Sequence, residues 1–297
     1  MSQSFERALS RLDNIETIEP LLSALRTMSL GAWQMANRKL ANLIHYEDYL
    51  DQILFEIIPL ITPKASRGKG SAEKPISNVD TIILIIGSER GLCGKFNTSL
   101  ANNALSFINQ NEFSDYQIWV MGSRLLLEFE RMDIPIAWRK TLPASGLTAY
   151  QEAYTLTQGW LEQFESYAFN QFIILFNQIA KGGTHQFTKI NLLPYEIQQD
   201  PARKPIIAHR WPPAIIETDP KGIYHQIIQH FITASFFRAL LMSAAAEHSA
   251  RYHLMQEASD NAEDIIEDLI WIINAERKRK ITQQMQELAV SAGLLEK

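Results

Sequence analysis

Residues 79–110 read VDTIILIIGSERGLCGKFNTSLANNALSFINQ, an apolar run, a glycine-containing turn and a helix-like stretch in direct succession. The aliphatic run at 82–86 is typical of a strand that is buried in a sheet. Residues 96–110 have the composition and pattern of a helix. A strand, a tight turn and a helix in this order predict the first unit of an α/β domain.

Strand-like and helix-like stretches continue to alternate after this unit. YQIWVMG at 116–122, NQFIILFNQI at 170–179 and HQFTKINLLPYE at 185–196 read as strands, and residues 123–132 and 148–167 read as helices. Alternation of this kind predicts a parallel or mixed sheet with flanking helices. We therefore expect a Rossmann-like α/β head domain over residues 76–200, between a polar connector at 64–75 and a proline-rich stretch at 198–220.

Residues 1–62 predict one long helix that ends at Pro59 and Pro63. Apolar side chains recur from Trp33 onward with a seven-residue period, which places a stripe along one face and requires a partner helix. Only Glu47 breaks the pattern. The two seam positions hold Trp33, Leu40 and Leu54, and Ala36, Leu43, Leu50 and Ile57.

Residues 221–291 predict a second long helix, because neither proline nor glycine occurs between Ile223 and Ala292. A helix of this length is on the order of 100 Å long and must pair with an equally long one. Its seams hold Ala234, Leu241, Met255, Ala262 and Leu269, and Phe237, Ala244, Ala258, Ile265 and Ile272, with interruptions at His248 and Arg251. The fold class predicted is thus α/β, with a long antiparallel coiled coil formed by the N- and C-terminal helices.

The overall composition excludes several classes of protein. The net charge of −5 over 297 residues argues against a nucleic-acid-binding protein. A single cysteine, Cys93, excludes an intrachain disulfide and favours a reducing compartment. The N-terminus does not resemble a secretory signal. The sequence has no run of about 18 apolar residues, so we expect no direct insertion into a membrane.

The glycine turn at 88–94 does not match the common nucleotide-binding loops. In a P-loop a serine or threonine follows Gly-Lys, whereas Phe96 follows Gly94 and Lys95 here, and Glu89 stands where the first glycine is needed. The dinucleotide fingerprint requires a third glycine. The turn is therefore interpreted as a structural strand-to-helix connection, with Asn97 or Thr98 as the cap of the helix.

Other candidate sites in the sequence have ordinary structural explanations. Cys93 has no histidine close in sequence that would act as a base, and His248 and His253 are too poorly aligned on one helix face for a metal pair. We expect no catalytic residue, cofactor or metal. The basic cluster at 277–280 is either a solvated patch near a helix end or a contact for an acidic partner.

Three separated motifs resemble those of the γ subunit of rotary F-type ATP synthases. The turn Ser88–Gly94 followed by Asn97 is similar to that family's S-[DE]-R-G-L-C-G turn. Residues 246–251, AEHSAR, with 258–262 downstream, resemble its second motif, and Asn274, Arg277 and 281–283, ITQ, resemble its third. The resemblance extends over nearly the whole chain.

The resemblance implies a non-catalytic rotor of the central stalk, which couples rotation of the c-ring to ATP synthesis or hydrolysis in β subunits. It implies three α and three β subunits, an ε subunit and the c-ring as partners, on the cytoplasmic face of a membrane. By resemblance, the rotor–stator contacts are Met28, Ser88, Glu89, Arg90, Gly91, Leu92, Cys93, Gly94, Arg277, Lys278, Thr282 and Gln283.

The sequence also departs from the family pattern. Lys278 replaces the family's glutamine, Gln284 its glutamate, and Ala101 stands at the position of a usual lysine. These departures indicate a divergent or alternative-type paralogue. Two alternatives remain open on the residues alone: a nucleotide-binding α/β enzyme with a coiled-coil dimerisation arm, and a coiled-coil scaffold.

Overall fold

A computed structural model describes residues 3–61, 79–111, 113, 115–180, 184–195, 216–217 and 219–291. The connector at 64–75 and the proline-rich stretch up to residue 215 lie outside the described residues, as do the predicted boundaries at 62, 76 and 200. The chain divides into two compact units. One is Gly31–Ala250, and the other combines Met1–Leu30 with Arg251–Lys297.

Two long helices enclose the α/β region in sequence, as predicted. The elements are α1 Gln3–Ile61, β1 Val79–Ile86, α2 Phe96–Asn111, β2 Tyr116–Met121, α3 Ser123–Arg131, β3 Trp138–Lys140, α4 Tyr150–Glu165, β4 Phe169–Ile179, β5 His185–Leu193 and α5 Pro220–Ser291. The short strand β3 was not predicted, because three residues are too few to show a period.

The sheet of the Gly31–Ala250 unit has the strand order β3-β2-β1-β4-β5. β3, β2, β1 and β4 are parallel, and β5 is antiparallel to β4. Alternate residues of β1 serve opposite faces: Ile82, Leu84 and Ile86 pack with α4 and α5, while Ile83 and Ile85 pack with α2 and α3. The predicted mixed, Rossmann-like sheet is confirmed.

α1 and α5 pack against each other within this unit. Leu50, Leu54 and Ile57 of α1 form a buried cluster with Ile227 and Phe231 of α5. The predicted seam residues Ala36, Leu43, Leu241 and Ala244 are also buried, whereas Trp33 and Leu40 are half-buried. Glu47, which breaks the heptad pattern, is itself buried, and its Oε2 accepts a hydrogen bond from Nη1 of Arg238 at 2.9 Å.

The second unit pairs the beginning of α1 with the later part of α5. Ala8, Leu269 and Ile273 are buried together, with Phe5, Leu12, Ile15 and Ile265 packed around them. Arg26 donates to Gln256, and Ser259 donates to Glu19. Earlier residues of α1 therefore meet later residues of α5, which is an antiparallel arrangement.

One of the two predicted seams is wrong at its C-terminal end, whereas Leu269 of the other seam is buried as predicted. Ile272 was expected in the seam but is 41% exposed, whereas Ile273 is only 5% exposed. A straight α-helix has 3.6 residues per turn rather than 3.5, so a strict seven-residue frame drifts around the helix over several turns. The buried position has accordingly moved by one residue.

α5 contains one 18-residue window that is long and apolar enough to cross a membrane by composition, with a mean hydropathy of 1.3. Within the structure, 72% of that window is buried. A helix in the core of a protein passes the same test.

Candidate functional site

The glycine turn joins the end of β1 to the start of α2 through a closed set of hydrogen bonds. The Ser88 N–H donates to Oδ1 of Asn97 at 3.0 Å, and Nδ2 of Asn97 donates to the Ser88 hydroxyl at 2.7 Å. That hydroxyl donates to the carbonyl of Arg90 at 2.9 Å. Asn97 therefore lies inside α2 and fastens the turn, so its predicted role as helix cap is wrong.

Two residues of the turn have a left-handed backbone conformation. Leu92 has φ 62° and Gly94 has φ 60°. This region is unfavourable for a branched side chain, because the Cβ atom approaches the following carbonyl. The Leu92 side chain is nevertheless 58% exposed, so burial of its own surface does not compensate for the strain. Strain of this kind is typical of sites that act on a partner.

Glu89 connects the turn to two other segments at the same edge of the sheet. Its carboxylate accepts hydrogen bonds from the Ser123 hydroxyl at 2.6 Å, the Ser123 N–H at 3.0 Å and the Leu142 N–H at 2.9 Å. Partial burial by itself raises the pKa of Glu89, but the three hydrogen bonds together outweigh it and lower the pKa below its ordinary value. Glu89 thus supplies a negative charge at the N-terminus of α3.

The crevice between the carboxyl ends of β1 and β4 is the usual ligand position in a sheet of this order, since the chain connections diverge there. Here Cys93 of the turn and Phe96, the first residue of α2, pack in a buried cluster with Ala246 of α5, beside Ile179 at the end of β4. The Ser243 hydroxyl donates to the carbonyl of Ile86 at 3.2 Å. Side chains of the protein itself therefore fill the position that a nucleotide takes in other proteins.

The loop between β3 and α4 contacts the same part of α5. Nε2 of His248 lies 2.7 Å from the Ser145 carbonyl. Gly146 has φ 68°, and a Cβ atom there would lie 3.2 Å from Nε2 of His248 and 3.5 Å from Oε2 of Glu247. The sequence analysis places His248 at an interruption of the seam and within the AEHSAR motif, but it does not predict this contact, because the partner is 103 residues away.

The structure thus brings seven of the predicted contact residues together, Ser88 to Gly94. The other five lie in the Met1–Leu30 and Arg251–Lys297 unit, and all are exposed: Met28, Arg277, Lys278, Thr282 and Gln283. The Thr282 hydroxyl donates to the Lys278 carbonyl, and Gln283 donates to Glu287. Among the described residues, no group of three His, Cys, Asp or Glu side chains is placed to hold a metal ion.

A family model described as ATP synthase matches residues 4–294. This chain belongs to the ATP synthase gamma family. A protein named ATP synthase gamma chain from Amoebophilus asiaticus is 24% identical over 98% of this chain and 99% of its own length. Another of that name, from Nautilia profundicola, is 22% identical over 97% of both chains.

Two cryo-EM structures show the same fold at low identity. A chain of the rotor of the Euglena gracilis mitochondrial ATP synthase has a TM-score of 0.60 at 12% identity and covers 95% of this chain and 100% of its own. A chain of the central stalk and c-ring of the Tetrahymena thermophila mitochondrial ATP synthase has a TM-score of 0.56 at 16% identity. It covers 80% of this chain and 99% of its own length.

Proposed function

We propose that this chain is the central-stalk rotor (γ) subunit of an F-type ATP synthase or ATPase. It couples rotation of an ion-driven c-ring to ATP synthesis or hydrolysis at sites that β subunits provide. Its partners are three α and three β subunits, an ε subunit and the c-ring. The complex is peripheral to a membrane, and we place this chain on the cytoplasmic face of a bacterial plasma membrane or its equivalent.

The observation that carries the proposal is the surface of the unit formed by Met1–Leu30 and Arg251–Lys297. Met28 is 63% exposed and Trp271 is 73% exposed, and Ile281, Met285 and Leu288 are exposed on the same two helices. Large apolar side chains on the surface of a two-helix unit indicate a site that another protein covers. A ring of partner subunits around the paired helices would do so.

The filled crevice supports a non-catalytic role against the alternative of a nucleotide-binding enzyme. Cys93, Phe96 and Ala246 occupy the position where such an enzyme would place its ligand. The catalytic residues are then those of the β subunits. The turn at 88–94, with the exposed and strained Leu92, and the basic residues Arg277 and Lys278 are the proposed contacts with those subunits.

Coexpression with α and β subunits from the same genome tests the proposal, with native mass spectrometry as the readout. A particle with one copy of this chain for three α and three β subunits is the expected result. A stable monomer or dimer that binds ATP stoichiometrically would support the enzyme, and a dimer without nucleotide binding would support the scaffold.

A further inference from the structure

Within the Gly31–Ala250 unit, two separate segments of the head hold one short part of α5. The glycine turn and the elements it joins do so: Ser243 donates to the carbonyl of Ile86 at the end of β1, and Cys93 of the turn and Phe96 at the start of α2 pack on Ala246. The loop after β3 does so through the Ser145 carbonyl and the close approach of Gly146 to Glu247 and His248. We call residues 243–248 with these two segments the clamp.

The two contacts reach α5 from different directions. Ser243 and His248 are five residues apart, and an α-helix turns by about 100° per residue, so their side chains leave the helix axis about 140° apart. A helix that is held from one side alone can pivot about that contact. Contacts from two such directions resist rotation of the helix about its own axis relative to the sheet.

Glu89 ties the two segments of the clamp to each other. It belongs to the glycine turn, and its Oε2 accepts a hydrogen bond from the N–H of Leu142, the second residue of the loop. Leu142 is itself buried in the main core. The turn and the loop are therefore joined to each other, and together they contact α5 at two points.

The donor and the acceptor of the hydrogen bond between His248 and Ser145 can be assigned. A backbone carbonyl only accepts hydrogen bonds, so Nε2 of His248 carries the hydrogen that it donates to Ser145. A glutamine at this position places an amide N–H donor near Nε2 of the imidazole, whereas a leucine of similar size has no donor. Both the contact and its loss can thus be engineered at one position with little change in volume.

We propose that the clamp fixes the angular position of the head on α5 and transmits torque between them, with His248 as its positioning residue. This inference rests on the proposed rotor function and specifies where torque passes between the head and α5. A loosened clamp leaves the catalytic sites of the partner subunits intact. It allows ATP hydrolysis to continue while less of the rotation reaches the ion-translocating ring.

The test uses the complete complex in sealed membrane vesicles and measures ion uptake per ATP hydrolysed. We expect His248→Leu to lower this ratio without lowering the rate of ATP hydrolysis. His248→Gln should keep the ratio close to that of the wild type. His225→Leu is the matched control, because His225 lies exposed on α5 in the same unit.

Hydrogen exchange of the Gly146 and Leu147 amides gives a second readout. Loss of one hydrogen bond should speed this exchange about five-fold in His248→Leu only.

Gly146→Ala disturbs the contact from the loop side and decides the question if His248→Leu does not assemble. Its Cβ would lie 3.2 Å from Nε2 of His248 and alanine is strained at a φ of 68°, so the loop or the imidazole must shift. An unchanged uptake ratio in assembled variants would overturn the clamp while leaving the rotor function standing. Failure of the wild-type chain to assemble with α and β subunits would instead refute the rotor function itself.

Discussion

At the scale of single residues, Glu89 explains how the glycine turn keeps its form. Three donors from two segments converge on one carboxylate, from Ser123 and Leu142. In proteins that bind phosphates, a helix N-terminus at such an edge receives an anion from outside. Here the negative charge at the start of α3 belongs to the chain, which is consistent with a site that positions backbone rather than substrate.

Replacement of this carboxylate should therefore destabilise the head. Glu89→Gln keeps the size of the side chain but offers an amide nitrogen to N–H donors, and we expect a loss of about 1–3 kcal/mol in the free energy of unfolding. Urea denaturation followed by circular dichroism measures it. Glu130→Gln is the control, because Glu130 is half-exposed and 4.0 Å from Arg139, and should change stability by less than about 0.5 kcal/mol.

The same residue should give a pH dependence of known sign. The folded pKa of Glu89 is lowered, so its stabilising effect is complete above the unfolded pKa of about 4.3 and is lost as the pH falls through the folded pKa. The difference in unfolding free energy between wild type and Glu89→Gln should thus shrink below about pH 4. A difference that stays constant from pH 6 to pH 3 would refute the assignment of these hydrogen bonds to the ionised form.

At the scale of elements, α1 and α5 are joined by a polar pair at a position where an apolar one was expected. Glu47 has a side chain only 4% exposed, and Arg238 reaches it at 2.9 Å. A buried carboxylate is costly without its cation, whereas replacement of both partners by apolar residues is often neutral. The pair therefore explains why a charged residue is tolerated in the seam.

This pair gives a prediction for the packing of the two helices. Arg238→Met should lower the unfolding free energy by about 3 kcal/mol, because it leaves a carboxylate inside the interface. The double variant Glu47→Leu with Arg238→Met should recover most of that loss. Thermal or urea denaturation of the three proteins decides it, and a double variant less stable than Arg238→Met would show that Glu47 has a further essential partner.

The elements differ in how far the sequence predicts them. α1, α5 and the longer strands follow from composition and period, since their apolar patterns extend over many residues. β3 has only three residues, and Ile272 is displaced by a drift that a fixed heptad frame ignores. Asn97 resembles a helix cap in sequence, but it binds Ser88 because the turn folds back over the first turn of α2.

The candidate site was less predictable than the elements. The family motif indicated the seven turn residues, but not the partners that give Glu89 and His248 their roles. Those partners lie 34, 53 and 103 residues away in sequence, so only the tertiary fold brings them into contact. Local spacing carries no signal for such contacts.

At the scale of the whole molecule, the two compact units have different parts in the proposed function. The Gly31–Ala250 unit holds the sheet and the clamp, and its ligand crevice is filled. The other unit has exposed apolar and basic side chains on α1 and α5, including Trp271 and Arg277. Contacts made only in some rotary states can bias those states through their difference in energy.

The basic residues at the end of α5 give the prediction that tests this division. Exposed ion pairs contribute about 0.2–1 kcal/mol each, so loss of two of them in Arg277→Ala with Lys278→Ala should lower coupled ATPase activity by about two- to thirty-fold. Unfolding of the head should be unchanged, because both residues lie in the other unit. Ion-coupled ATP hydrolysis in vesicles and denaturation of the isolated chain measure the two effects.

Arg279→Ala with Lys280→Ala provides a control with the same change in charge. On average this pair points about 160° around the helix from Arg277 and Lys278, although Lys280 itself is about 60° from Arg277, so a partner that contacts one face should distinguish the two pairs. We expect a smaller loss in the control, and both losses should diminish at high salt because exposed charges are screened. Equal losses in the two variants would mean that the net charge of the helix end matters, rather than a contact at Arg277 and Lys278.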